Sequence, residues 1–534
     1  MNQWCFADVW DTVAELLPDA PALVHGDVIH TWSAFERRSA GVGATLIEAG
    51  VPLQGKFAQY LHNEPAYLES VYAAWKVGCV PVNTNYRYAD DELVYLWDNA
   101  DVDAVVFHGT FTSTIERIRA RVPRVRTWLH VDDGTEPCPD WAIAYEDATG
   151  GAGPSARRRT GDDLYLLYTG GTTGMPKGVM WRQDDLFRVL SSMSKVRFPG
   201  DGGLSAVREL VTRPGPVTLP ACPLMHGTGS FSAFSALSSG GSVVTLTGRR
   251  LDIVELLDTI EQRRVQSIAI VGDAFAKPLL RALDEEPERW DISSLRVVTS
   301  SGVMWSSTTK EGLLRHNERL ILVDSLGSSE ALGLGSAVTT NQSDASPTAS
   351  FSLSADARVL TDDGRFVEPG SGEVGMLARR GLTPIGYYKD EEKTAVTFRV
   401  VNGERYSIPG DYATVSADGT LVLLGRGSVC INTGGEKVFP EEVEEALKEH
   451  PSVSDAVVIG VPDERFGEII VAVVEGTPGA PRDAEALVAH TKGRLASYKA
   501  PKHVLFVPGI DRADNGKVDY SRWKAFACAA RESQ

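Results

Sequence analysis

The chain has 534 residues, which is too long for one ordinary hydrophobic core, so we expect more than one domain. Its 43% hydrophobic and 23% charged residues are typical of a folded enzyme and exclude a disordered or fibrous chain. The formal net charge of -18 repels polyanions at long range, which argues against a nucleic-acid-binding or membrane-surface protein.

The start of the chain, MNQWCFADVW, lacks the basic and apolar regions of a signal peptide. No later stretch approaches the roughly 18 apolar residues that span a bilayer, so we expect a cytoplasmic protein without a transmembrane segment. In that reducing compartment, cysteines without a CxxC pair are expected to be mostly buried thiols, with neither a zinc site nor disulfides. The six cysteines are Cys5, Cys79, Cys138, Cys222, Cys430 and Cys528.

Helix and strand signals alternate near the start of the chain. Ser33 and Glu36 have the spacing of a capping box, which predicts a helix that begins there and ends at Gly50. The next segments are predicted as strand, helix, strand, helix and strand: FAQYL from Phe57, Pro65 to Val77, CVPVN from Cys79, Asp90 to Trp97, and AVVFH from Ala104. This alternation is typical of a parallel α/β sheet.

The alternation resumes from Leu164 and predicts a second core of the same class, with strands LYLLYT, VVTLT, IAIVG, LRVVTS and LILVDS. After Glu373 short strands and turns follow, including a hairpin at Asp418 and Gly419. From Phe439 onward the pattern predicts a compact α+β unit. Its predicted elements are a helix beginning at Pro440, strands AVVIGV and IIVAVVEG, a helix near Ala484 to Leu495, a strand HVLFV and a closing helix. We therefore predict an α/β fold with a large N-terminal domain of stacked α/β subdomains, residues 1–426, and a small α+β C-terminal domain, residues 427–534.

The most specific segment is YTGGTTGMPKGV, which follows the predicted strand LYLLYT. Its glycines let backbone N–H groups curl around a polyphosphate, its threonines add hydroxyl donors and its lysine adds a cation. The segment is not a Walker motif, because Pro176 precedes Lys177 where that motif has glycine. A flexible surface turn is the alternative interpretation. The residues that would form an ATP-phosphate cradle are Thr169, Gly170, Gly171, Thr172, Thr173, Gly174 and Lys177.

This segment resembles the phosphate loop of the adenylate-forming enzymes, which include acyl-CoA synthetases, luciferases and the adenylation domains of peptide synthetases. Their loop reads close to YTSGTTGxPKGV, and Gly170 stands where they usually have serine. Further similar segments follow in the family's order over nearly the whole chain: PLMHGTG, LGSSE, SIPGDYA, LLGRGS, INTGGEKVFPEEVEE and DNGKVDY. The resemblance implies the family's fold, in which the small C-terminal domain is mobile.

The resemblance also implies catalytic and metal-binding roles. Lys517 stands at the position of the family's C-terminal lysine, which bridges the substrate carboxylate and the nucleotide. Glu330 stands at the position of the carboxylate that helps to hold magnesium, and Thr172 is the second implied metal-binding residue. His226 stands at the position of the histidine that lies beside the acyl pocket.

A further set of residues is implied for nucleotide and coenzyme A binding. Asp411 would accept hydrogen bonds from the ribose hydroxyls, and Arg426 would add a second contact. Leu326 replaces the aromatic residue that usually stacks on adenine, so an apolar contact is expected there. Ser428 occupies the hinge position, which is commonly Asp or Lys. The rest of the set is Gly302, Asp324, Ser325, Gly327 and Ser329 for the nucleotide, and Gly434 and Gly435, whose turn approaches the site when the thioester is made.

The implied activity is an ATP- and magnesium-dependent ligation of a carboxylic acid to coenzyme A through an acyl-adenylate. The stretches VMWRQDD, VGDAFAKPLL and DSLGSSE resemble actinobacterial fatty-acyl and steroid-side-chain CoA ligases, which implies a bulky hydrophobic acid. The small residues of GTGSFSAFSALSSGG fit a roomy acyl pocket, and they also fit plain close packing. An aryl or short-chain acid, or the loading of a carrier protein, are the alternatives. Because no carrier domain follows Lys517, free coenzyme A is the expected acceptor.

A nucleophilic hydrolase is the rival interpretation. Cys222 lies near His226 in the sequence, and the SxxK spacing occurs at 192–195 and at 307–310. Neither a GxSxG elbow nor a KTG motif accompanies these residues, so hydrolysis is disfavoured.

Taken one at a time, the implied site residues have ordinary structural explanations. Lys517 alone would be a surface charge, Glu330 a helix cap and His226 a hydrogen-bonded loop residue. Asp411 and Arg426 would form a surface ion pair. Their occurrence together and in the family's order favours the functional interpretation.

Overall fold

The computed structural model of the protein describes residues 3–151, 153, 159–170, 175–200, 203–303, 305–343, 349–433, 436–463, 465–513 and 516–532, with the backbone alone at 428, 437 and 532. Three β-sheets organise these residues, and two of them exchange strands along the chain, whereas the third is formed by the C-terminal part alone.

Helices and strands alternate through the N-terminal half of the chain, as the sequence predicts. Up to residue 160 the elements are α1 (Phe6–Leu16), β1 (Pro21–His25), β2 (Val28–Thr31), α2 (Trp32–Glu48), β3 (Lys56–Tyr60), α3 (Pro65–Lys76), β4 (Val80–Asn83), α4 (Asp90–Asn99), β5 (Val102–His108), α5 (Thr112–Ile118), β6 (Thr127–Val131), β7 (Ile143–Ala144) and α6 (Tyr145–Thr149). The next are β8 (Leu164–Thr169), β9 (Lys177–Arg182), α7 (Gln183–Met193), α8 (Leu204–Leu210), β10 (Val217–Pro220), α9 (Gly227–Ser238), β11 (Ser242–Thr245), α10 (Ile253–Gln262), β12 (Ser267–Ile270), α11 (Gly272–Glu285), β13 (Val297–Ser301), α12 (Ser307–His316), β14 (Ile321–Ser328) and β15 (Ala331–Thr339).

Short strands dominate the region that follows, again as predicted. The strands are β16 (Ser350–Leu353), β17 (Ala357–Leu360), β18 (Gly375–Arg380), β19 (Gly386–Tyr387), β20 (Phe398–Val401), β21 (Glu404–Ser407), β22 (Asp411–Val415) and β23 (Thr420–Arg426). One helix, α13 (Glu391–Thr397), lies between β19 and β20. The last part of the chain contains β24 (Ile431–Thr433), β25 (Glu436–Val438), α14 (Pro440–Lys448), β26 (Val453–Asp463), β27 (Gly467–Gly476), α15 (Ala484–Arg494), β28 (His503–Val507) and α16 (Tyr520–Glu532).

The first α/β sheet has the strand order β19-β9-β8-β4-β3-β5-β6-β7. Its central pairs are parallel, whereas β8 and β9 form an antiparallel hairpin with β19 at its edge. The second sheet runs β2-β1-β11-β10-β12-β13-β14-β15-β16-β23-β22-β18-β21-β20, with β17 paired to β18. It is parallel from β11 to β14 and antiparallel beyond β14. The short antiparallel strands therefore extend an α/β sheet and do not form a separate one.

One hydrophobic core lies between these two sheets and contains residues from α1, α2, α3, α7 and α9. Aromatic rings fill its centre: Phe6 stacks on Trp75 at 4.7 Å between ring centroids, and Phe234 meets Trp75 edge-on at 5.1 Å. Because the same core touches strands of both sheets, it fixes the position of one sheet relative to the other.

The C-terminal sheet has the order β25-β24-β27-β26, with β28 parallel to β27. Two hydrophobic clusters cover its two faces, one beneath α14 and α15 and the other beneath α16. The strands and helices of this compact α+β unit lie where the sequence predicts them.

Two composition-based predictions meet different outcomes. Within the residues described, no helix is long and apolar enough to cross a membrane. All six cysteines are free, but the prediction of mostly buried thiols holds for only half of them. Cys5, Cys79 and Cys222 are buried, whereas Cys138 is exposed and the remaining two are half-buried.

The predicted capping box at Ser33 and Glu36 is wrong. Helix α2 begins one residue earlier, and the side chain of Thr31 caps it by accepting a hydrogen bond from the backbone N–H of Ala34. Glu36 instead pairs with Lys76 of α3 at 2.7 Å. The helix starts earlier because β2 ends at Thr31, which places the fully buried Trp32 in the core.

This difference gives a direct test of the start of α2. We expect Thr31→Ala to destabilise the protein by about 1 kcal/mol, because the N–H of Ala34 loses its acceptor. Ser33→Ala is the matched control and should leave stability within about 0.5 kcal/mol of the wild type. Urea unfolding followed by tryptophan fluorescence measures both changes, and a larger loss in Ser33→Ala would restore the sequence-based assignment.

Candidate functional site

The predicted phosphate loop connects two strands of the first α/β sheet. Strands β8 and β9 pair from Leu164 opposite Arg182 to Thr169 opposite Lys177. The loop therefore begins and ends at two residues that face each other across the hairpin. Gly170 is the last described residue before the loop, whereas Gly171, Thr172, Thr173 and Gly174 lie outside the described residues. The structure therefore describes both ends of the predicted cradle and not its centre.

Glu330 lies in a tight turn and not at a helix end. Ser329 and Glu330 connect β14 to β15, with Ser328 paired opposite Ala331. The helix-cap explanation for Glu330 is therefore wrong. A two-residue turn gives the carboxylate a short, well-defined attachment to the second sheet.

Three hydrogen bonds from separate elements hold this turn. The indole N–H of Trp181 in β9 donates to the carbonyl of Ser329 at 3.0 Å, and the hydroxyl of Ser407 donates to the carbonyl of Glu330 at 2.7 Å. The hydroxyl of Tyr387 in β19 donates to Oε1 of Glu330 at 2.8 Å. Because Trp181 and Tyr387 belong to the first sheet, these bonds connect the carboxylate to the strands that carry the phosphate loop.

These three residues were missed by the sequence analysis as site residues. Ser407 and Trp181 stand within segments that resemble the family, SIPGDYA and VMWRQDD, so a signal existed for them. Tyr387 stands in no such segment, and only its contact with Glu330 identifies it.

The residues predicted around the nucleotide lie at the ends of β13 and β14. Ser325, Leu326 and Gly327 follow one another in β14, and Leu326 packs against a hydrophobic cluster. Asp324 is buried and pairs with the buried Lys310 at 3.2 Å. Burial raises the pKa of Asp324 to about 6, and the positive charge of Lys310 opposes that change. Lys310 is thus committed to an ion pair and not to an SxxK site.

Asp411 and Arg426 face each other across the hairpin of β22 and β23. They are directly opposite in register, and Nε of Arg426 lies 3.2 Å from Oδ1 of Asp411. The carboxylate of Asp411 raises the pKa of Arg426 above its usual value. The pair lies where the predicted C-terminal domain begins, so it is not an isolated surface ion pair.

Lys517 enters this region from the C-terminal domain. The preceding Gly516 has φ +71°, and a Cβ there would lie 2.8 Å from Val303, so only glycine fits this close approach. The cleft lowers the pKa of Lys517 by partial desolvation and by the nearby positive charge of Arg426, while the carboxylates of Glu330 and Asp411 oppose the change. Part of the Lys517 side chain is accessible to solvent, whereas its ammonium group lies near the charged residues that were predicted for the site.

His226 borders the same cleft and is held in its neutral form. Desolvation lowers its pKa to about 3, with further lowering by the positive charges of Lys517 and Arg87. It is the residue before α9, and its carbonyl accepts hydrogen bonds from Ser230. His226 and Lys517 thus come from opposite domains to one cleft.

Helix α9 is tightly packed, so close packing explains its small residues better than a roomy acyl pocket does. A Cβ on Gly229 would overlap the carbonyl oxygen of Pro223, so glycine permits the close contact between helix and loop. A cavity of about 290 Å³ is lined by residues that include Pro223 of this loop, Phe275, Arg249 and Arg512. The cavity thus lies between the two domains.

The hydrolase alternative lacks an activated nucleophile. Burial raises the pKa of Cys222 to about 12, so its thiol stays protonated at neutral pH. The hydroxyl of Ser192 donates to the carbonyl of Val189. Together with the ion pair of Lys310, these observations disfavour Cys222 as a nucleophile and Lys310 as a catalytic base.

Two family models match the chain. One, described as AMP-binding enzyme, matches residues 10–388, and one described as AMP-binding enzyme C-terminal domain matches residues 442–517. The chain is 41% identical to a 3-oxocholest-4-en-26-oate–CoA ligase of Rhodococcus rhodochrous, covering 97% of this chain and 94% of that relative. It is 38% identical to a medium/long-chain-fatty-acid–CoA/3-oxocholest-4-en-26-oate–CoA ligase of Mycobacterium tuberculosis, covering 98% and 96% respectively.

Solved structures show the same architecture. ATP-bound MatB of Rhodopseudomonas palustris superposes with a TM-score of 0.82 at 26% identity, covering 99% of this chain and 100% of that chain. The anthranilate CoA ligase AuaEII in complex with anthranoyl-AMP superposes with a TM-score of 0.86, covering 100% and 99%, and at 22% identity it shows the fold alone. The predicted α/β fold with a large N-terminal and a small C-terminal domain is confirmed.

The neutral state of His226 predicts a dependence of stability on pH. Its folded-state pKa of about 3 lies below the usual 6.5, so the unfolded chain binds one more proton between these values. Stability is therefore lost as the pH falls from about 6.5 towards 3. We expect His226→Gln to lose about 2–3 kcal/mol less stability than the wild type between about pH 7 and pH 4.5.

Urea unfolding at the two pH values measures this difference. The exposed histidine variant His503→Gln is the control and should follow the wild type. An identical pH dependence in His226→Gln and wild type would show that His226 is not held neutral.

Proposed function

The chain belongs to the AMP-binding enzyme family, and from this premise we propose that it is an ATP-dependent ligase that joins a hydrophobic carboxylic acid to coenzyme A. The acid would be a fatty acid or a steroid side-chain acid, activated as an acyl-adenylate, and the reaction would release pyrophosphate and then AMP. The observation that supports this proposal most strongly is the meeting of Lys517 with Glu330, Asp411 and Arg426 across the two domains.

The first step brings two anions together, the acid's carboxylate and the α-phosphate of ATP. No protein nucleophile is needed, so the barrier is lowered by orientation and by neutralisation of charge. We propose that Lys517 supplies the mobile positive charge at this point. Its ammonium group would contact both the attacking carboxylate and the α-phosphate, and Lys177 would hold the departing pyrophosphate.

Asp411 and Arg426 would position the nucleotide. A carboxylate can accept hydrogen bonds from both ribose hydroxyls, and the arginine 3.2 Å from Asp411 helps to hold that carboxylate in place. The proximity of this pair to Lys517 supports a nucleotide that lies beneath the C-terminal domain during adenylation.

Magnesium would be held by Glu330, with Thr172 as the proposed second residue. Among the residues described, no three His, Cys, Asp or Glu side chains cluster tightly enough to hold a metal by themselves. That arrangement suits Mg²⁺, which commonly binds through one or two carboxylates together with substrate phosphates and water. The carboxylate of Glu330 fits this chemistry, and bound magnesium would neutralise phosphate charge.

The second step requires the C-terminal domain, residues 427–534, to turn near Ser428. Lys517 would leave the cleft, and the Gly434–Gly435 turn would take its place and open a path for the coenzyme A thiol. Gly434 and Gly435 lie outside the described residues, as does the side chain of Ser428. In the docked position Gly516 approaches Val303 so closely that no side chain would fit there.

The preference for a hydrophobic acid rests on the relatives and on His226. The relatives named above act, by their names, on fatty acids and on a steroid acid. A neutral His226 adds no fixed charge to the wall beside the acyl site, which suits an apolar chain. We place the activity in the cytoplasm, where ATP and coenzyme A are both present.

A panel of acids tests the substrate class. We expect AMP release with coenzyme A and Mg²⁺ to be at least about tenfold faster per enzyme concentration for long-chain and steroid side-chain acids than for acetate, ferulate or free amino acids, because apolar burial favours the former. Preference for acetate or an amino acid would contradict the substrate, whereas no AMP release with any acid would contradict the activity itself.

Removal of the Lys517 charge separates the two steps. We expect Lys517→Ala to slow adenylate formation by at least about a thousandfold, measured as pyrophosphate exchange into ATP, because a charge specific to that transition state is lost. Thioester formation from a supplied acyl-adenylate should stay within about threefold of the wild type.

The matched control is Lys524→Ala, which removes an exposed lysine of the same domain that pairs with Glu468. It should leave both steps unchanged. Equal loss of both steps in Lys517→Ala would show that the domain does not alternate between two positions.

A further inference from the structure

Tyr387 connects the two halves of the proposed phosphate and metal site. Its hydroxyl donates to Oε1 of Glu330 at 2.8 Å, and the ammonium Nζ of Lys177 lies 5.6 Å from the centroid of its ring. We infer that Tyr387 is a positioning residue that orients Glu330 for Mg²⁺ and seats Lys177 for the ATP phosphates. This inference rests on the function proposed above.

The surroundings of Tyr387 fix the position of its ring. The residue is 8% exposed, its backbone pairs with Val179 of β9, and its N–H donates to the hydroxyl of Thr394 at 2.9 Å. Its ring also meets Phe398 edge-on at 5.7 Å. Backbone and ring are thus held independently of the hydroxyl, which has hydrogen-bonding partners in Glu330 and in the side chain of Thr397.

The hydroxyl orients the carboxylate. It holds one of the two carboxylate oxygens, which restricts rotation of the Glu330 side chain on its turn. The backbone of the same turn is held separately by Trp181 and Ser407, so the orientation of the carboxylate depends specifically on Tyr387.

The ring acts on Lys177. A lysine ammonium above an aromatic ring is attracted to the ring's negative face, which limits the positions of an otherwise flexible side chain. Lys177 opens β9, and Tyr387 lies on the strand paired with β9, so the two residues are neighbours by register. One tyrosine thus contacts both the carboxylate of the proposed cation site and the lysine proposed to bind phosphate.

Calorimetric titration with ATP distinguishes the two tasks. In excess Mg²⁺, Tyr387→Phe should bind ATP about ten- to hundredfold more weakly than the wild type, because Glu330, the proposed metal ligand, loses the hydrogen bond that orients it. In EDTA, its affinity for ATP should match the wild type, since the ring beneath Lys177 is kept. Tyr387→Leu removes the ring as well and should weaken binding in EDTA too.

Tyr388→Phe is the matched control. Its hydroxyl donates to Asp101 at 2.9 Å, away from Glu330, so it should bind ATP as the wild type does in both conditions. In a Glu330→Gln background, Tyr387→Phe should add less than about a threefold effect, because the two residues act through one hydrogen bond. Melting curves confirm that each variant is folded at the titration temperature.

The outcomes are distinct. If the wild type binds Mg-ATP and Tyr387→Phe binds it equally well, or loses affinity equally in Mg²⁺ and in EDTA, the positioning role is wrong and the proposed function stands. If the wild type binds no ATP in either condition, the proposed function and this inference are both wrong.

Discussion

Repulsion between anions is the constraint on which this structure depends. A carboxylate and a triphosphate meet only where positive charge is concentrated, and this chain carries a formal net charge of -18. The cleft concentrates local donors against that background, with Lys517, Arg426 and Lys177 arriving from three different parts of the chain. Glu330 and Asp411 lie among them, so the site is a mixed arrangement of charges. Such a site can bind a magnesium nucleotide without binding anions indiscriminately.

The fold supplies this arrangement by bringing two sheets together along a shared aromatic core. The first sheet contributes the hairpin of the phosphate loop, and the second contributes the turn with Glu330 and the pair of Asp411 and Arg426. Direct hydrogen bonds from Trp181 and Tyr387 then join the sheets at the site itself. The C-terminal unit brings Lys517 to the same cleft, and in the proposed mechanism it would carry this lysine away again before the thioester is made.

The sequence predicted what local patterns determine. Apolar segments placed α3, β8 and α14 to within about a residue or two. Helix α3 and strand β8 are buried on nearly every side, so each shows in the sequence as an apolar run. Motif order identified Glu330, Asp411, Arg426 and Lys517, which the fold brings together. Local patterns were insufficient where distant residues decide the outcome. Thr31 replaced Ser33 as the cap because packing of Trp32 set the start of the helix. Tyr387 was not predicted, since its partner Glu330 lies 57 residues away on another sheet.

The two-residue connection between β14 and β15 has a consequence for how such a site can diverge. Side chains alternate between the faces of a strand, so one inserted or deleted residue in either strand would turn the acidic group to the opposite face. The spacing of this hairpin is therefore fixed by chemistry, while the loops around the interdomain cavity are free to change in length. New acid specificities can arise from those loops without disturbing the step that consumes ATP.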